Sequence, residues 1–172
     1  LLAESLVLDK SLSKQQQYES LLPQIFSLIS DENNIIAILS NISAALKDSF
    51  DSFSWVGFYF LNNNSGELIL GPFQGKVACS RLPSGKGVCH AALIKNETVI
   101  VEDVHNFEGH IACDSGSNSE IVVPIIYKDE KIGVLDIDSY ELNNFDETDK
   151  IYLEKLIKKI NEKIYLIKKM YN

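Results

Sequence analysis

A chain of 172 residues with 45% hydrophobic content has the size of one domain, able to bury roughly 70% of its unfolded surface without a disulfide or metal staple. A formal net charge of -8 and a sequence pI near 4.9 argue against nucleic acid and anionic membranes, both of which attract basic surfaces. No apolar run approaches the ~20 residues that span a bilayer, and the three cysteines, a low and odd number, fit a reducing cytoplasm better than a secreted disulfide scaffold.

The opening Leu1-Leu2-Ala3 has neither the basic stretch nor the cleavage site of a secretory signal, and the first residue is Leu rather than Met, so the natural start is left open. About a dozen weakly patterned residues follow. Tyr18, Leu21, Leu22, Ile25 and Ile29 then keep helical spacing. Pro23 lies inside that pattern and should start or kink a helix; residues 1–30 read as an N-terminal helical extension. Ile35, Ile38, Leu39, Ile42, Ala45 and Leu46 predict a second helix, with Asp31 as its N-cap. From Trp55 the period falls to two. Residues 55–61 read as a strand, Asn62-Asn63-Asn64-Ser65-Gly66 as a turn, and 67–70 as the returning strand.

Residues 71–87 carry four glycines and two prolines and read as a loop. A short helix over 88–95 and a strand over 98–102 come next. The loop predicted over 103–118 is long enough to suggest function. Residues 120–127 and 131–138 form a hairpin around Lys128-Asp129-Glu130, with Pro124 hinting at a bulge or an edge position. Asp146 caps a final helix over 146–170, striped by Leu153, Leu156, Ile157, Ile160, Ile164 and Ile167. This order predicts a single α+β domain over 1–172, with a mostly antiparallel sheet and helices packed mainly on one side.

The chemistry-bearing residues gather in the middle of the chain. Cys79, Cys89 and Cys113 each lie in or beside a predicted loop. A cytosolic cysteine is more often a small buried hydrophobe than a reagent. The shared loop placement weighs against that reading, and Cys89 falls at a predicted helix N-terminus, where the dipole favours a thiolate. A metal centre built from Cys79, Cys89, His90, His105, His110 and Cys113 is the competing reading. The chain has no C-x2-C pair, and structural zinc sites usually draw on such pairs; no metal is expected. His105 and His110 share a loop with Cys113, and either can polarise a thiol or simply satisfy loop backbone.

Strand alternation puts Asp136 and Asp138 on one face and Leu135 and Ile137 on the other. Two such carboxylates repel unless a cation or solvent lies between them, so the pair suits an ammonium group, or else is a solvated strand end. Glu120 opens the preceding strand. Held neutral in a pocket, it can donate a proton. Trp55 and Tyr59 share a strand face, an aromatic wall suited to a thioether or sulfoxide, although an ordinary core strand looks similar.

Several long stretches resemble one family. They are Trp55-Val56-Gly57-Phe58-Tyr59, Gly71-Pro72-Phe73-Gln74-Gly75-Lys76, Gly85-Lys86-Gly87-Val88-Cys89, the run from Asp103 through Cys113-Asp114-Ser115 to Pro124, and the run from Gly133 to Ser139. Together they resemble the free methionine-R-sulfoxide reductases, a GAF-domain family, and contain all three cysteines in order. The match is dense over the central half of the chain and departs at His90 and Gly116, where other small residues are expected; His90 is placed to alter the pKa of Cys89. The resemblance implies a GAF-like fold and a cofactor-free homodimeric enzyme that reduces the free amino acid and is recycled by thioredoxin. It implies Cys113 as the attacking thiol and Cys79 and Cys89 as resolving thiols. Glu120, with help from an aspartate, would then supply the proton, while Trp55, Tyr59, Asp136 and Asp138 hold substrate. The alternatives from other classes are a GAF sensor that binds a small ligand without turnover and a metal-bound structural protein.

Overall fold

The computed structural model describes residues 6–111, 113–161 and 163. Two helices open the chain, α1 (Lys14–Ile29) and α2 (Ile35–Ser49). Strands β1 (Phe53–Leu61), β2 (Leu68–Gln74) and β3 (Arg81–Leu82) follow, then α3 (Gly87–Lys95) and β4 (Val99–Val101). A 3₁₀ turn at Val104–Asn106 leads to the hairpin of β5 (Ser119–Tyr127) and β6 (Glu130–Ser139), and α4 (Glu147–Asn161) closes the described chain. The six strands form one sheet in the order β3-β2-β1-β6-β5-β4, antiparallel at every pairing. No described helix is long and apolar enough to cross a membrane.

Period-two alternation gives the sheet two unlike faces. Val56, Phe58 and Phe60 of β1, Ile121, Val123 and Ile125 of β5, and Leu135 and Ile137 of β6 pack with α1, α2 and α4 into the larger core. Trp55, Tyr59, Val122 and Val134 point the other way and pack with α3 into a smaller core. Three helices therefore cover one face and a single short helix covers the other. The second face, thinly roofed, keeps room for a pocket.

Local chemistry accounts for most element ends. Ser13 and Gln16 form a reciprocal capping box at the start of α1, and the helix runs on through Pro23. The cap of α2 is Asn34, not Asp31: Asn34 Oδ1 accepts from the Ile36 and Ala37 amides, and a side chain three residues earlier cannot reach those free donors. Residues 71–87 are not one continuous loop. Strand β2 extends to Gln74 because Gly71 and Pro72 fall where its register against β1 shifts, between the Gly57↔Phe73 and Tyr59↔Leu70 pairs; such irregular positions tolerate both residue types. Pro124 lies past the last β4–β5 pair, Val99↔Val122, one residue before the β5–β6 register shift at Ile125/Ile126. The hairpin turns on Lys128 and Asp129, both at positive φ, the primed geometry that matches strand twist. Asp146 caps α4 through the Thr148 amide at 2.7 Å. Ile164 and Ile167 of the predicted stripe lie outside the described residues.

The helical layer is tied together by one buried carboxylate. Asp149, fully buried in α4, accepts from Tyr18 Oη at 2.8 Å, Lys14 Nζ at 2.5 Å and the Asp146 amide at 2.9 Å. Removing it strands the buried Tyr18 hydroxyl and takes from the Lys14 ammonium one of its two carboxylate partners, leaving Asp146. Asp149→Ala should therefore cost roughly 3 kcal/mol in urea unfolding, and a loss under about 0.5 kcal/mol would contradict this role.

Candidate active site

The register of the three central strands assembles the pocket floor. Asp138 pairs with Trp55 on one side and with Glu120 on the other, so the three form one rung. The next rung joins Gly57, Asp136 and Val122. All these side chains stand on the α3 face. From α3 itself, Cys89 reaches down toward the same spot. Its sulfur and one oxygen each of Glu120 and Asp136 lie within 4.8 Å of one another. Cys113, His110 and Ser117 of the long loop and Ala78 of the β2–β3 connection complete the wall.

Trp55 stands upright because two glycines yield to it. A Cβ on Gly57 would come within 2.4 Å of Trp55 Cη2, and one on Gly75 within 2.5 Å of Cδ1. Phe73 and Tyr59 flank the indole with centroids at 5.4 and 5.9 Å. Both aromatic residues also bind the strand connection beside them. Trp55 Nε1 donates to the Lys76 carbonyl at 3.1 Å, and Tyr59 Oη donates to the Cys79 carbonyl at 3.1 Å. The wall that faces the pocket thus also fixes the loop that carries Cys79.

Cys79 and Cys113 are joined in a disulfide, their Cα atoms 5.5 Å apart and 34 residues apart in sequence. Cys89 is a free, buried thiol. It sits in the first turn of α3 as predicted, but the expected thiolate is not favoured there. Burial first, then Asp136, Glu120 and Asp138, push its pKa well up; the nearby anions and the lack of water outweigh the helix dipole. The His90 imidazole is itself buried, which lowers its pKa, and its ring is hydrogen-bonded to the Leu82 backbone. Carboxylates, not His90, dominate the surroundings of Cys89.

The acidic trio is under electrostatic load. Burial pushes the Glu120 carboxyl well above its ordinary value, helped by Asp136 and Asp138. Burial and then Asp136 do the same to Asp138, opposed by a hydrogen bond from Ser117. Asp136 is raised to about 6, again by burial, with hydrogen bonds from Glu120 and Cys89 holding it down. Its Oδ1 is buried with no hydrogen-bond partner. No lysine or arginine lines the pocket among the described residues. The nearest cationic candidate is His110, whose Nε2 lies 3.8 Å from Glu120 Oε2, and burial lowers its pKa. A protonated Glu120 donating to an ionised Asp136 is the arrangement that fits these directions.

The six-residue metal set suggested by the sequence is not brought together. Two members are consumed by the disulfide, His105 Nε2 pairs with Asn118 Oδ1 at 3.1 Å, and His90 turns toward Leu82. The compact group of Cys89, Glu120 and Asp136 shares only Cys89 with that set. Sequence reasoning missed the meeting of His110 with Glu120 and of Ser117 with Asp138. Both contacts join the long loop to a strand, and no local pattern announces them.

Each carboxyl of the trio holds its proton more tightly folded than unfolded. The unfolded chain therefore carries fewer protons above about pH 4, and this contribution to stability is present at low pH and lost as pH rises through the folded-state values. Glu120→Gln, which cannot ionise, should stabilise the ligand-free protein by at least about 1 kcal/mol more at about pH 8 than at about pH 5 in thermal unfolding. A larger gain at the lower pH would contradict the burial of a raised carboxyl.

The GAF domain family matches residues 32–160. The chain is 52% identical over 157 residues to GAF domain-containing protein A of Dictyostelium discoideum, covering 91% of this chain and 98% of that protein. It is 43% identical over 151 residues to the free methionine-R-sulfoxide reductase of Escherichia coli strain K12, covering 88% and 90%. The structure superposes on that of free methionine-R-sulfoxide reductase from Neisseria meningitidis in complex with its substrate, with a TM-score of 0.89, 46% identity, and 96% and 99% coverage. The six-stranded antiparallel sheet with this pocket is the GAF fold, and the chain belongs to the free methionine-R-sulfoxide reductase family.

Proposed function

We propose that this protein reduces free methionine-R-sulfoxide to methionine by thiol chemistry and is recycled by a thioredoxin-type reductant in the cytoplasm. The observation that carries the reading is the convergence in one pocket of Cys113, an aromatic wall and an unbalanced acidic trio, with Cys79 bonded to Cys113 beside it. The relatives named for this activity share the fold over nearly the whole chain.

The substrate's sulfoxide sulfur lies near Cys113, its methyl and methylene groups against Trp55 and Tyr59. Sulfoxide oxygen leaves poorly unless protonated, and the raised Glu120 carboxyl retains a proton to give. The Cys113 thiolate attacks the protonated sulfoxide at sulfur, forming an S–S bond as the oxygen leaves as water. Water then attacks the Cys113 sulfur, that S–S bond breaks, and a sulfenic acid, free methionine and a proton result. Cys79 then closes the disulfide, and thioredoxin reduces it by exchange. The observed Cys79–Cys113 bond favours Cys79 over Cys89 as the resolving thiol. Cys89, with its raised pKa, serves instead as a hydrogen-bond donor to Asp136.

The trio also explains a preference for the free amino acid. Asp136 and Asp138 lack a cation, and a free α-ammonium supplies one. A peptide-bound sulfoxide lacks that charge and would leave buried carboxylates unmet. A polar site loses roughly 10⁴-fold in discrimination when its partner group is missing.

The reading is tested by NADPH consumption with thioredoxin, thioredoxin reductase and free methionine-R-sulfoxide. Sustained consumption that Cys113→Ser reduces at least about 10³-fold is expected. A protein that binds the sulfoxide but never consumes NADPH would instead be a ligand sensor, and a Cys113→Ser variant with full turnover would remove the nucleophile.

A further inference from the structure

Two residues beside the bonded cysteines meet across the gap between their loops. Lys76 stands three residues before Cys79, and Asp114 directly follows Cys113. Lys76 Nζ lies 3.2 Å from Asp114 Oδ2. Tyr140, the residue after β6 and two beyond Asp138, donates its hydroxyl to the same carboxylate oxygen at 2.9 Å. Its ring lies beneath Lys76 Nζ, with the centroid 4.9 Å away. The other Asp114 oxygen accepts from the Gly116 amide at 3.0 Å, and the Tyr140 carbonyl accepts from Asn118 Nδ2 at 2.7 Å.

These contacts draw three parts of the pocket to one point: the Cys79 loop, the Cys113 loop and the end of the carboxylate strand. Lys76 is held at both ends, its carbonyl by Trp55 and its ammonium by Asp114 and Tyr140. Gly116, a departure from the family pattern, admits the tyrosine, since a Cβ there would stand 3.1 Å from Tyr140 Cε1. Lys76 and Tyr140 are exposed and Asp114 is partly buried, with 63% side-chain exposure at Lys76 and 22% at Asp114. An ion pair in such a setting contributes only about 0–1 kcal/mol to stability. Its consequence lies in placement, because two thiols on separate loops react at a rate set by their effective concentration.

We propose that Lys76, Asp114 and Tyr140 form a latch that positions Cys79 for capture of the oxidised Cys113, without acting on the substrate. This rests on the reductase reading above. In the captured step the Cys79 sulfur attacks the sulfenic sulfur of Cys113. The S–S bond forms, the S–O bond breaks, and the departing hydroxide takes up the proton of the Cys79 thiol to leave as water. The oxidising equivalent is the one already delivered by the sulfoxide. Lys76, Asp114 and Tyr140 are positioning residues.

The latch is tested by single turnover of the full chain with methionine-R-sulfoxide, following methionine release and the lifetime of the dimedone-trappable sulfenic acid. Lys76→Met and Tyr140→Phe should release methionine within about twofold of the unaltered rate while lengthening the sulfenic lifetime about tenfold. Lys76→Arg, which keeps the charge, should restore capture to within about threefold. A second readout needs no substrate: equilibrium of the disulfide with glutathione should show an effective thiol concentration about tenfold lower in Lys76→Met, or about 30 mV. Unchanged sulfenic lifetimes, equal slowing of both steps, or an unchanged glutathione equilibrium would overturn the latch. If the unaltered protein releases no methionine, the reductase reading fails while the glutathione equilibrium still decides the latch.

Discussion

Three carboxyl groups share one buried patch of sheet with no lysine or arginine lining it among the described residues. Glu120, Asp136 and Asp138 are forced together by strand register, and each is pushed above its ordinary pKa by the loss of water. Such an arrangement opposes folding. It persists because the opposite face of the same strands is uninterrupted apolar core, roofed by α1, α2 and α4. Stability is drawn from one side of the sheet and the strain is held on the other, a division typical of functional sites. A positively charged ligand would relieve that strain.

The reactive sulfurs are arranged around this patch rather than within it. Cys79 and Cys113 arrive on loops from opposite edges of the sheet, and Trp55 and Tyr59 hold the Cys79 loop while walling the pocket. Cys89 sits against Glu120 and Asp136, and burial together with those carboxylates opposes its ionisation. Cys79 and Cys113 form the disulfide, and Cys89 remains a buried free thiol. Contacts of the long loop through His110, Ser117 and Asp114 tie the Cys113 segment to Glu120, Asp138 and Tyr140 at the end of β6.

Much of this was legible in residue order because sheets have a period of two. The alternation that put Leu135 and Ile137 in the core put Asp136 and Asp138 on the other face, and the same rule joined Trp55 to Tyr59. Helical spacing located α1, α2 and α4. Matters set by distant neighbours were not legible. The N-terminal position of Cys89 in α3 suggested a thiolate, whereas burial against β5 and β6 dictates the opposite. Asp31 and Asn34 are both good caps, and only the backbone path decides for Asn34. The choice between Cys79 and Cys89 as partner of Cys113 depends on which loop bends over the pocket. The meeting of Lys76 with Asp114, 38 residues apart, has no local signature.

The central claim is that the acidic trio is kept for a free ammonium group. Calorimetric titration of reduced Cys113→Ser protein with methionine-R-sulfoxide and with its N-acetyl derivative tests it directly, since the two differ chiefly in that charge. The account predicts that acetylation weakens binding by about 10⁴-fold. Comparable affinity for both compounds would contradict it.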